Sequence, residues 1–163
     1  MEPFDTSVSF LDVVLRLGAA MLVGAILGIN RELRNKPAGL KTHSLVSLGS
    51  ALLTLVSVSF ATMTGAVDGS TLSRVVQGII TGIGFLGAGV IMRGESGHTV
   101  QGLTTAASVW LAACLGIACG AGQWSLAATA FVATLLILVV GDPVERAIVR
   151  RWQRRSGEPT ELE

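Results

Sequence analysis

The chain has 163 residues, half of them hydrophobic and 14% charged, with a mean hydropathy of +0.65 and a net charge of +1. That balance leaves little sequence for a separate soluble domain, and no nucleic-acid partner is expected. The charges fall into short clusters: neither Thr42 to Val67 nor Thr99 to Gly141 contains Asp, Glu, Lys or Arg. A spanning helix needs about 20 mostly apolar residues, so the first stretch suffices for one span and the second for two.

The chain opens with Glu2 and Asp5 where a secretory signal would be basic, and no small-residue cleavage pattern follows. The first apolar segment, 11–29, is therefore expected to be retained as a helix. Asp12 and Arg16 stand four apart in it, share a helical face and partly neutralise each other. A basic connection follows with Arg31, Arg34, Lys36 and Lys41, and then a second span over 42–63.

The third span, 74–92, begins with a polar stripe of Arg74, Gln77 and Thr81 at helical spacing. Charges at membrane depth face a bundle interior or water, although Arg16 and Arg74 could also reach outward to the headgroups. Asp12, Arg16, Arg74 and Gln77 form a candidate functional cluster at one end of the bundle. There a carboxylate between two guanidinium groups would tie the first helix to the third. Gly78, Gly82, Gly84, Gly87 and Gly89 crowd the same span. Gly78 and Gly82 make a G-x-x-x-G, which predicts close packing of this helix; an unwound segment is the alternative.

The fourth and fifth spans cover 103–118 and 124–140, with Gly116, Gly120 and Gly122 favouring a turn between them. Cys114 and Cys119 lie about 140° apart around a helix and read as small buried hydrophobes. A short basic tail over 142–163 repeats Val144, Ile148 and Trp152 every four residues among Arg146, Arg150, Arg151, Arg154 and Arg155. It suits an amphipathic segment on the inner leaflet or a frayed end that only fixes topology.

The fold class is thus all-α, a polytopic membrane protein of about five helices. Of the twelve Lys and Arg, ten fall on the side of the first and third connections and the tail, and only Arg16 and Arg74 on the other. That asymmetry places the N-terminus outside and the C-terminus in the cytoplasm. No catalytic constellation appears. His43 and His98 fall in the predicted cytoplasmic connections, and Ser44 would point away from its neighbour His43. No metal-ligand spacing or phosphate loop is present, and no cofactor is expected. Among the spans only Asp12 offers a carboxylate, which argues against a dedicated Mg²⁺ path in a monomer.

GINRELRNKPAGLKTHSLVSLGSAL (Gly28 to Leu52) resembles the first signature of the MgtC/SapB family of bacterial inner-membrane proteins. SRVVQGIITGIGFLGAGVI (Ser73 to Ile91) resembles its second, and GLTTAASVW (Gly102 to Trp110) its third. The likeness covers Leu11 to Val140, in the short form without the soluble C-terminal domain of virulence-type members. Matched polar positions are Arg31, Glu32, Lys41 and Thr42, then Arg74 and Gln77, then Thr104 and Thr105. Lys41 stands where the family commonly has Arg, and Asn30 replaces a frequent acidic residue. The resemblance implies a role in magnesium homeostasis at low Mg²⁺, or regulation of membrane potential and of the membrane ATP synthase. Such a protein would act without catalysis, through helix contacts with a partner or a second copy. The alternative is an ion or small-solute transporter, for magnesium above all, with a polar path lined by helices 1 and 3.

Overall fold

Five helices account for nearly all of the computed structural model, which describes residues 9–63, 69–93 and 100–156. They are α1 (Phe10–Glu32), α2 (Leu40–Met63), α3 (Gly69–Val90), α4 (Leu103–Gly120) and α5 (Trp124–Ser156). Each is long and apolar enough to cross a membrane. With backbone polar groups satisfied inside helices, this is a multi-pass membrane protein. A two-residue antiparallel pair, Met92–Arg93 against Val100–Gln101, joins α3 to α4.

α4 is the central helix. α1 and α2 pack antiparallel to each other and both pack on α4; α3 leans on α4 and α2, and α5 on α4 and α1. The core is made of small residues: Ala20, Ala51, Ala118, Cys119 and Ala127 meet in one buried layer. Larger side chains, Leu27 with Leu115 and Ile79 with Ile83 and Val109, fill the layers around it. Both cysteines are free, and Cys119 belongs to this core.

Close approach in lipid rests on packing rather than on a hydrophobic driving force. Glycines supply it, but not those of α3. A Cβ on Gly24 would lie 2.5 Å from the His43 carbonyl oxygen, and one on Gly28 2.5 Å from Leu40 Cα. On α4, Gly116 and Gly120 stand equally close to the carbonyls of Ser47 and Ala51. Backbone therefore meets backbone from α1 to α2 and from α2 to α4, where Cα–H···O contacts add weakly. Around Gly78, Gly82, Gly84 and Gly89 a Cβ would meet nothing within 4 Å, and at Gly87 only Ala106 Cβ at 3.7 Å. The expectation of tight packing along α3 is corrected. Its packed face carries Val75, Ile79 and Ile83, and four of the five glycines lie off it. α3 is also continuous, so the broken-helix alternative does not hold either.

The α1–α2 connection is tight. Backbone N–H groups of Arg34, Asn35 and Lys36 donate to the carbonyls of Arg31 and Glu32, and Asn35 and Ala38 adopt positive φ. The Glu32 carboxylate accepts the Leu40 N–H at 3.2 Å, placing a negative charge at the start of α2. At the other end of α4, the turn to α5 is Ala121 to Gln123. Gly116 and Gly120 belong to α4 itself, so only Gly122 of the three glycines turns the chain.

α5 departs most from the sequence reading, since it runs on to Ser156 instead of ending at Val140. Pro143 sits inside it, and its missing N–H leaves the Val139 carbonyl without a helical donor. Arg34 takes that place: its Nη2 donates to Val139 O at 3.2 Å while Nη1 meets Asp142 at 2.7 Å. The basic residues from 142 to 156 thus continue the helix, and 157–163 lie outside the described residues.

Candidate functional site

Two polar centres hold α1 against α4, one at each end of the pair. At the first, Arg31 in the last turn of α1 is 4% exposed and points into the bundle. Its Nη2 donates to Thr105 Oγ1 on the first turn of α4. His43, on the first turn of α2, is fully buried, with Nδ1 at 3.1 Å from Gly39 O and Nε2 at 3.1 Å from Ser108 Oγ. Ser108 Oγ is also 2.8 Å from the Thr105 carbonyl. A hydroxyl has one proton, so it serves only one of these acceptors at a time. In the tautomer whose Nδ1–H donates to Gly39, Nε2 takes it. The pairing resembles a serine–histidine dyad, but both side chains are buried and it bridges α2 and α4. Arg31, Thr105, Ser108 and His43 form one network across α1, α4 and α2. Among the described residues Arg31 has no carboxylate partner, and its Nε has no hydrogen-bond partner.

At the second centre Asp12 and Arg16 pair at 2.8 Å. Arg16 Nη1 also donates to Gly120 O at 3.0 Å, the carbonyl closing α4, where a cation complements the helix dipole. Gly122, at φ 71°, leaves room for the guanidinium: a Cβ there would stand 3.0 Å from Arg16 Cζ. Arg74 and Gln77 lie exposed on α3, while the ion pair and the hydrogen bond of Arg16 run to Asp12 and to Gly120. The proposed link between those helices is corrected, because Arg16 is spent on α4. A double-mutant cycle on chemical unfolding in detergent checks this. Asp12→Ala with Arg16→Leu should couple by about 1 kcal/mol, and Asp12→Ala with Arg74→Leu should be additive. Among the described residues no group of three or more His, Cys, Asp or Glu could hold a metal ion.

A family model described as the MgtC family matches residues 17–147. The chain belongs to the MgtC family. It is 41% identical over 155 residues to protein SrpB of Synechococcus elongatus, an alignment covering 91% of this chain and 84% of that protein. It is 43% identical over 130 residues to protein SapB of Bacillus subtilis, covering 78% of this chain and 54% of SapB. To protein MgtC of Salmonella typhimurium it is 46% identical over 137 residues, 84% of this chain and 54% of MgtC. The chain thus spans most of SrpB and about half of SapB and MgtC. No solved structure matches it.

The polar signature positions separate in space. Arg31 and Thr105 meet in the buried network, Glu32 caps α2, and Lys41, Thr42 and Thr104 lie exposed. Sequence reading missed His43 and Ser108. His43 was expected in a connection but is the first member of a buried polar stripe on α2: His43, Ser47, Ser50, Thr54 and Ser57. Their alternating spacing of four and three was the available signal. His98 lies outside the described residues.

Proposed function

We propose that this MgtC-family chain is a non-catalytic protein of the bacterial inner membrane that supports adaptation to low magnesium by engaging another membrane protein through helix contacts. The membrane ATP synthase is the partner that the family resemblance suggests, and the Lys/Arg asymmetry supports an outside N-terminus. One observation carries the reading. α1, α2 and α4 close on one another through four glycines, while Gly78 and Gly82 on α3 stay open beside Gly49 of α2. They border an apolar groove of about 290 Å³ whose walls include Leu45, Leu53, Ile79 and Ile83. Small residues facing lipid let another helix approach closely.

The test is growth at low Mg²⁺ of cells whose own copy is replaced by Gly78→Leu/Gly82→Leu, alongside the unfolding of the purified variant. Loss of growth with unchanged stability is expected. Undiminished growth would sink the reading. A second reading, transport, is favoured by the buried stripe on α2, where the hydroxyls of Ser47 and Ser57 have no partner among the described residues. The polar path would then follow α2 rather than α1 and α3. Proton or Mg²⁺ flux by purified protein in liposomes, abolished by Ser47→Val, would establish transport and displace the first reading.

A further inference from the structure

Where α5 leaves the apolar region, a cleft of about 620 Å³ opens between it and the end of α1. Its lining includes Arg34, Val139, Pro143, Arg146, Arg150 and Arg151. Four guanidinium groups thus face one cleft, three of them from a single turn-and-a-half of helix. Arg146 and Arg150 stand four apart, an arrangement that repels in an isolated helix. Among the described residues only Arg34 has a carboxylate partner, Asp142, and that side chain is itself 47% exposed. Glu145, exposed beside Arg146, is the other acidic residue of this stretch, so four cations against two carboxylates still leave a net positive field.

The location identifies what would compensate it. The uncharged run of α5 ends at Gly141. With a rise of about 1.5 Å per residue, the Arg146 backbone lies about 9 Å beyond Val140, near the depth of lipid phosphates. Helical side chains lean toward the N-terminus, so on α5 these arginines lean back toward the bilayer. Val144, Ile148 and Trp152 are exposed along the same stretch of α5 and offer apolar contact beside the charges. Guanidinium forks match phosphate oxygens in bidentate fashion, and basic pockets at membrane surfaces recognise phosphate headgroups.

We propose that the cleft between α1 and α5, lined by Arg34, Arg146, Arg150 and Arg151, binds an anionic phosphate ester, supplied by a phospholipid headgroup. Bound there, the headgroup offsets part of the arginine charge and holds the α5 extension against the α1–α2 connection. The site shares no lining residue with the apolar groove beside the α3 glycines.

The experiment uses the full chain in neutral detergent, titrated separately with phosphatidylglycerol, phosphatidylcholine and inorganic phosphate, with binding read by native mass spectrometry and by thermal shift. Phosphatidylglycerol should bind and raise the melting temperature. Arg146→Gln/Arg150→Gln, on an exposed helix face, should melt like the parent without lipid and bind about 30-fold more weakly, given the contribution of each basic residue near a membrane surface. Lys36→Gln/Lys41→Gln removes two exposed charges at the same end of the molecule but outside the cleft, and should change binding far less. A shift from phosphatidylglycerol alone identifies the lipid as the source, and one that inorganic phosphate also produces identifies a soluble phosphate; either, lost in the arginine variant, supports the site. The assignment is overturned if neither anion binds the parent, if phosphatidylcholine binds equally, or if the arginine variant keeps its affinity.

Discussion

Gly24→Val and Gly116→Ala should each destroy most of the yield of monodisperse protein in detergent, whereas Gly82→Leu should leave it intact. The contrast follows from what each new side chain would meet. At Gly24 a Cβ falls 2.5 Å from the His43 carbonyl oxygen and 2.8 Å from Ser44 Cα. At Gly116 even the single methyl of alanine meets the Ser47 backbone. Backbone atoms in a helix cannot swing aside as a flexible side chain does, so the helices must part. Parting α1 from α2 also breaks the close packing of Gly28 on Leu40, one turn further along. Overpacking a closed core costs about 1–3 kcal/mol, and the upper end is expected where backbone meets backbone. At Gly82 there is no neighbour within 4 Å, and replacing an exposed helical glycine removes a propensity penalty of up to about 1 kcal/mol. Size-exclusion profiles and chemical unfolding of the three variants measure the difference. Equal profiles for all three would mean that α1, α2 and α4 do not approach through their glycines.

The spans were legible because lipid allows few alternatives to an apolar helix of sufficient length. Which face of each helix points inward was harder to read. In α3 the glycines at 78 and 82 and the isoleucines at 79 and 83 have the same period, so the spacing could not tell the packed stripe from the open one. The pairs that do pack, Gly24 with Gly28 and Gly116 with Gly120, have the same G-x-x-x-G spacing, but Gly116 and Gly120 read with Gly122 as a turn. His43 follows Lys41 closely and so reads as part of the basic connection. Its burial depends on Ser108, 65 positions away on another helix. The extension of α5 was hidden for a similar reason: Pro143 and the charges after it read as a helix end. Arg34, 105 residues upstream, supplies the donor that the Val139 carbonyl would otherwise lack. Only the pairing of Arg31 with Thr105 joined two residues that the signatures had marked.

That pairing leads to the second large effect. Thr105→Val keeps the shape of the side chain and removes the oxygen that accepts from Arg31 Nη2. The guanidinium remains buried with one donor fewer satisfied, and a hydrogen bond to a charged group contributes about 1.5–3 kcal/mol. Loss of about 2 kcal/mol on unfolding in detergent is expected, enough to threaten a marginally stable bundle. Arg31→Ala should also destabilise, since it strips packing from the end of α1 together with the hydrogen bond. The informative variant is the double one. Arg31→Met/Thr105→Val replaces both polar partners by apolar groups of similar length, and such exchanges are often neutral because no buried charge is left without a partner. It should therefore be more stable than Thr105→Val alone, the reverse of what two independent losses would give. Ser108→Ala breaks the His43 contact and leaves the Arg31–Thr105 bond in place, so its cost should be smaller and should persist in the Arg31→Met/Thr105→Val background. If the double variant is instead as unstable as the sum of its parts, Arg31 and Thr105 do not depend on each other, and the buried network does not join α1 to α4.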